Sequence, residues 1–197
     1  MKVKLTVCDS GGREGVTTNA YAFQRKLRAE GEAGRFHLVK GVHHPSAPRA
    51  SIEFPDSKKR DKLAAARGDV PVLYLNSNML KDALSHRLDS TEPGSGMIRF
   101  PDWLPDWWYG ELCAERRTDK GWVNTPGARN EAWDLLYYCL GACVSPLIRA
   151  ETIDWTNPPI WAAESGNPLV VVSGQEKNVA PDRKNHYDLT KLGQILA

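Results

Sequence analysis

Stretches that read as strands alternate with stretches whose apolar residues recur at helical spacing. Lys2 to Cys8 reads as a buried strand. After it, Ala20, Phe23 and Leu27 form an apolar stripe at helical spacing, and Thr17 or Thr18 can cap a helix running to about Glu30. Phe36 to Val42 predicts a second strand that leads into His43-His44. Residues 45 to 69 are rich in proline, serine and charge and read as a long excursion. Val70 to Leu75 predicts a third strand. Asn76 or Ser77 then caps a helix carrying Leu80, Ala83, Leu84 and Leu88.

The second half follows the same rhythm less regularly. The turn Pro93-Gly94-Ser95-Gly96 leads to a short predicted strand, Met97 to Phe100. An aromatic segment, Trp103 to Tyr109, runs into a helix with Leu112 and Cys113. Trp122-Val123 reads as an edge strand. Ala128 to about Val144 gives the strongest helical pattern, with Trp133, Leu136, Tyr137 and Leu140 inward. Residues 150 to 166 read as irregular, Pro168 to Ser173 as a strand or an extended tail, and the chain turns polar from Gly174. Strands alternating with helices predict an α/β sheet with at least a parallel part. The implied division is residues 1–150 as an α/β domain and 151–197 as an irregular extension and tail.

Composition changes this picture little. At 197 residues, 41% hydrophobic and 25% charged, the chain has the make-up of a soluble globular protein with room for a substantial core. It has no secretory signal and no apolar run able to span a bilayer, so no membrane partner is expected. The net charge of +2 is mild. The basic residues are clustered, however, at Arg25-Lys26-Leu27-Arg28, at Lys58-Lys59-Arg60-Asp61-Lys62, and at Arg116-Arg117 near Lys120. Such clusters are either solvated faces or a phosphate-binding surface. The four cysteines lack paired CxxC spacing, which favours free buried thiols over a zinc site.

Candidate chemistry centres on carboxylates. Asp9 ends the first strand and opens into Ser10-Gly11-Gly12, where a side chain can point into a cleft at a sheet's C-terminal edge. Glu131 and Asp134, three apart on the late helix, are expected to share a face. Hard divalent cations take oxygen ligands of this kind, and a pair of them can drive phosphodiester hydrolysis. On spacing alone, acids in a helix's first turn are the commoner explanation, because the helix dipole favours them there. The segment Gly11 to Thr18 fails as a nucleotide loop: Val16 stands where the lysine should, and the glycine spacing is wrong. It is better read as a flexible turn exposing Asp9. His43 and His44 are available as ligands or bases, although loop histidines usually serve as neither. Trp107-Trp108-Tyr109 is either a base-stacking platform or, at helical spacing, core and interface.

The ordered segments together resemble the C-terminal nuclease region of the lambda-type phage terminase large subunit. The matching pieces begin with Cys8-Asp9-Ser10-Gly11-Gly12, Tyr21-Ala22-Phe23 and Val39-Lys40-Gly41. Asn76 through Lys81, Pro93-Gly94-Ser95-Gly96 leading to Arg99-Phe100-Pro101, and Tyr109 through Glu115 follow, and Asn130-Glu131-Ala132-Trp133-Asp134 closes the series. Their order and spacing cover about residues 3 to 145.

The resemblance implies an RNase H-like mixed sheet flanked by helices, and an endonuclease that cuts concatemeric viral DNA during packaging with Mg²⁺ or Mn²⁺. On that basis Asp9, Glu131 and Asp134 are the expected catalytic and metal-ligating residues. Lys40, Lys81, Lys58, Lys59 and Arg60 are the expected DNA contacts. The expected partners are double-stranded DNA, other terminase subunits and the portal, and the expected location is the host cytoplasm. The family's first catalytic aspartate lies on an earlier strand, so the resemblance implies either a truncated piece, or another strand in place of the opening ones, or a partner chain that supplies them. The ATPase motor has no counterpart here. The rival expectation is a non-catalytic DNA- or portal-docking module, with Asp188 to Leu196 as a short amphipathic contact helix.

Overall fold

The computed structural model describes residues 3–55, 68–92, 94, 96–170 of the chain. Its elements are β1 (Thr6–Asp9), α1 (Val16–Ala29), β2 (Phe36–Val42), β3 (Ala50–Glu53), β4 (Val72–Asn76), α2 (Ser77–Leu88), α3 (Asp106–Leu112), β5 (Glu115–Thr118), β6 (Gly121–Asn124) and α4 (Glu131–Val144). Four strands form a mostly parallel sheet in the order β1-β2-β4-β3, flanked by helices. β3 is the exception and runs antiparallel to β4, with Ala50 opposite Leu75 and Glu53 opposite Val72. A separate hairpin pairs β5 with β6. The chain therefore has the mixed α/β architecture expected from its pattern.

Two compact units share the chain, one built from residues 1–38, 54–71 and 152–197, the other from 39–53 and 72–151. In the first unit, α1 buries Ala20, Tyr21, Gln24 and Leu27. Its start departs from expectation. Gly15 in the left-handed conformation (φ 87°) begins the helix without a side-chain cap, and Thr17 lies inside it, donating its hydroxyl to the Ser10 carbonyl at 2.7 Å. Glycine adopts that backbone without the Cβ clash other residues meet. Arg25 grips Asp69 through two bonds of 2.8 and 3.0 Å, and Arg28 reaches the Asp69 carbonyl. The first basic cluster is thus partly spent inside the unit.

The second unit packs α2 and α4 together, with α3 also against α4. β4 is nearly all apolar and fully buried at Val72, Leu73 and Leu75, as befits a strand covered on both faces. Asn76 ends it and caps α2 as its pattern predicts, its Oδ1 accepting from the Met79 amide at 3.2 Å while its Nδ2 donates to the Ala47 carbonyl at 2.9 Å. One asparagine so fixes both the start of α2 and the loop before β3. Gly141 lets α4 sit tightly: a Cβ there would overlap the Leu75 side chain at Cδ1.

Several expectations change. β3 lies inside the stretch read as an excursion, and its four residues are too short and too polar to register against the surrounding prolines. Met97 to Phe100 is irregular rather than a strand. Cys113, Cys139 and Cys143 are free as expected but exposed rather than buried. The aromatic segment is not core: Trp103 is 76% and Trp107 61% exposed. The tail from Gly174, including Asp188 to Leu196, lies outside the described residues.

Candidate functional site

The second unit holds a connected network of charged and polar side chains. Ser77 and Lys81 stand four apart on α2, and Asn130, Asp134 and Tyr137 follow the same kind of spacing at the start of α4, so each set shares one helical face. Lys81 is only 5% exposed. A buried ammonium must be paired, because leaving water costs it several kcal/mol. Its Nζ donates to Glu115 Oε1 at 2.7 Å, Glu115 Oε2 at 2.8 Å and Asp134 Oδ1 at 2.7 Å. The same nitrogen lies 4.9 Å from the centre of the Tyr137 ring, within cation–π range. Asn130 closes the circuit by donating its amide to Glu115 Oε1 at 2.6 Å and Asp134 Oδ2 at 3.2 Å.

Local structure explains how Glu115 arrives there. In the β5–β6 hairpin Glu115 faces Asn124 and Arg117 faces Trp122. Side chains of a strand alternate, so Glu115 and Arg117 point to one side and Arg116 to the other. Arg117 and the Trp122 indole both hold Asp82 of α2, at 2.7 Å each, and the Trp122 amide donates to Asn78 Oδ1. These contacts dock the hairpin on α2 and carry Glu115 to Lys81.

Because Asn130 spends its side chain on Glu115 and Asp134, it does not cap α4. Glu111 of α3 takes that task instead, accepting the Ala132 amide at 3.0 Å. Arg129 bridges Glu111 at 3.4 Å and Glu131 at 3.2 Å. The Glu131 carboxyl is held below its ordinary range, first by its own backbone N–H at the helix start and then by Arg129. Four carboxylates (Glu111, Glu115, Glu131, Asp134) thus gather with Lys81 and Arg129 at this end of α4.

The residues predicted from sequence have different surroundings. Asp134 joins Lys81 in the network, its side chain 34% exposed. Glu131, expected on the same face, turns instead to exposed Arg129, with 57% of its side chain open. Asp9 is exposed at the end of β1, and its Oδ1 accepts the Gly11 amide at 2.8 Å. Lys40 is half-buried on β2, and His43 and His44 are both exposed. Lys58, Lys59 and Arg60 lie outside the described residues. The sequence reading missed Glu115 and Glu111. Both sit in the Tyr109–Glu115 segment, where no spacing rule connects them to α4.

By donor chemistry, Asp9, Glu131 and Asp134 suit a hard divalent ion. Their arrangement is less complete. Among the described residues no group of three or more His, Cys, Asp or Glu side chains comes together in a way that would hold a metal. Asp134 is engaged by Lys81 and Asn130, and Glu131 by Arg129.

The domain is thus a mixed α/β fold with carboxylates gathered at the partly open start of α4. The family model of the terminase large subunit gpA endonuclease domain matches residues 1–155, and the chain belongs to that family. No curated protein and no solved structure matches it. Among the described residues, no helix is long and apolar enough to cross a membrane.

Proposed function

We propose that this chain is the DNA-cleaving domain of a viral packaging machine, a divalent-metal-dependent endonuclease that cuts concatemeric viral DNA in the host cytoplasm. The observation that carries the reading is the gathering of Glu111, Glu115, Glu131 and Asp134 at the start of α4 in a chain of the endonuclease family. Carboxylate oxygens of this kind favour a small hard cation, and such an ion, when bound, would supply Lewis acidity toward the phosphodiester. Asp134 and Glu131 are the ligands of this reading in the second unit. Asp9 is a separate candidate carboxylate in the first. The mixed sheet with its antiparallel edge strand supports an RNase H-like description of the fold. Lys40, exposed Arg116 and the Lys58–Arg60 cluster are the proposed contacts to the DNA backbone. Other terminase subunits and the portal are the proposed protein partners.

The test is nicking of supercoiled plasmid in Mg²⁺ or Mn²⁺ by the wild type and by Asp134→Asn, Glu131→Gln and Asp9→Asn. The wild type should cleave, chelation should stop it, and Asp134→Asn should lower the rate by at least about tenfold, the scale on which one acid–base or charge-stabilising group acts. Cleavage that survives chelation, or equal rates for all four proteins, would overturn the assignment.

A further inference from the structure

We propose that Lys81 is a positioning residue for Asp134, acting on the reaction through that carboxylate and not by touching DNA. The inference rests on the endonuclease reading above. An ammonium has three N–H donors. The bonds at 2.7, 2.8 and 2.7 Å to Glu115 and Asp134 use all three. None remains for a phosphate, and the side chain, 7% exposed, is shielded from one. Glu115 is as deeply covered as Lys81, whereas Asp134 is 34% exposed. Asp134 is therefore the member of this triad that an approaching phosphodiester or ion can reach.

Each partner has a distinct part. Glu115 balances the ammonium in the interior and takes two of its donors. The Tyr137 ring covers Lys81 from a second side. The third donor fixes Asp134 Oδ1, and Asn130 fixes Oδ2 at 3.2 Å. With both oxygens tied, the carboxylate holds one orientation before substrate arrives, and catalytic groups gain most from such fixed placement. Without Lys81, Asp134 loses the bond that fixes Oδ1, and its 34% exposed carboxylate is less firmly oriented.

A double-mutant cycle on the full chain tests this, with cleavage read as kcat and as KM for DNA, DNA affinity read by filter binding without divalent ion, and Lys81–Asp134 coupling read by urea denaturation. Lys81→Met should lower kcat by about 100-fold, the scale of a reacting group displaced by an ångström, with KM and DNA affinity unchanged. Asp134→Asn should lower kcat as well, and Lys81→Met/Asp134→Asn should be no slower than Asp134→Asn alone. Lys81→Met/Glu115→Gln, which removes both interior charges, covers the case in which the single variant fails to fold; it should remain about 100-fold slow. Losses that multiply in the double variant, or weakened DNA affinity with normal kcat, make Lys81 a DNA contact and overturn the proposal. Wild-type protein that cleaves nothing sinks the endonuclease reading instead. In that case the urea cycle still judges the pairing, and additive losses there overturn it.

Discussion

Removing the buried ammonium should cost this protein a large part of its stability. Lys81→Met keeps most of the apolar stem and deletes the ammonium, with its charge and its three N–H donors. It strands two carboxylates, which respond differently. Asp134, 34% exposed, keeps its Asn130 bond and has water within reach of the oxygen that Lys81 leaves. Glu115, 5% exposed, has no such access, and only the Asn130 amide at 2.6 Å still serves it. Breaking a buried ion pair from one side costs about 3–5 kcal/mol. The surviving Asn130 bond puts this site at the low end, about 3 kcal/mol. Against a typical total of about 5–15 kcal/mol this is a major loss. It corresponds to a fall in Tm of roughly 6–12 °C for a chain of this size. Urea denaturation followed by circular dichroism reads it as a lower midpoint at constant slope. In Lys81→Met/Glu115→Gln the introduced amide keeps a carbonyl oxygen for Asn130 and strands no charge in the interior, so at least half of the loss should return. A single variant that loses under about 1 kcal/mol, or a double variant no more stable than the single, would show that the network does not hold charge in the way its distances imply.

Two further outcomes follow from the packing and from the first unit. Gly141→Ala gains about 1 kcal/mol of helix propensity but drives a Cβ into Leu75 Cδ1 in a fully buried site. Overpacking of about 1–3 kcal/mol should win, so a lower melting temperature is expected, and a higher one would refute the close helix–strand contact. Arg25 lowers the Asp69 carboxyl from 3.8 to about 2. A depressed acid stabilises the fold above its unfolded value and loses that contribution as pH falls through its folded value. The pair therefore matters at neutral pH and fades between 3.8 and about 2. Asp69 is about a third exposed, so Asp69→Asn should cost no more than about 1 kcal/mol at pH 7 and nothing near pH 2 in thermal melts. An equal loss at both pH values would refute the ion pair as the cause.

Most of the fold was legible because its signals are local. The apolar run of β4, the asparagine that caps α2 and the stripes of α1 and α4 are each set by residues within a turn or two of one another. β3 and β5 were not legible for the same reason. Each is four residues long, and β5 carries Glu115, Arg116 and Arg117, a charged run that reads as loop. Its strand character comes from pairing with β6 and from the grip of Arg117 and Trp122 on Asp82, contacts 35 and 40 residues apart. Local propensity has no access to such partners.

The same limit decides which residues of the site could be named from sequence. Asp134 was legible because an acid in the first turn of a strong helix is conspicuous. Glu115 was not, because its importance depends on Lys81, 34 residues away, being buried. Lys81 was expected among the DNA contacts because it lies in a segment that resembles the family, Asn76 through Lys81. Its burial adds a demand that the resemblance does not state. A lysine packed between two helices cannot remain charged without nearby carboxylates, so its burial requires Glu115 and Asp134 to converge on it. Glu131 obeys the opposite rule: at the exposed first position of α4 the helix dipole and Arg129 are enough to hold it, and nothing draws it inward. Two acids three residues apart thus part company because one of them faces a buried cation. If that cation is what keeps Asp134 in place, Glu115 matters to cleavage only through the cation it holds, and Glu115→Gln should slow the plasmid assay although its side chain is 5% exposed and reaches no substrate. A Glu115→Gln variant that cleaves at the wild-type rate would show that the interior pair does not position Asp134.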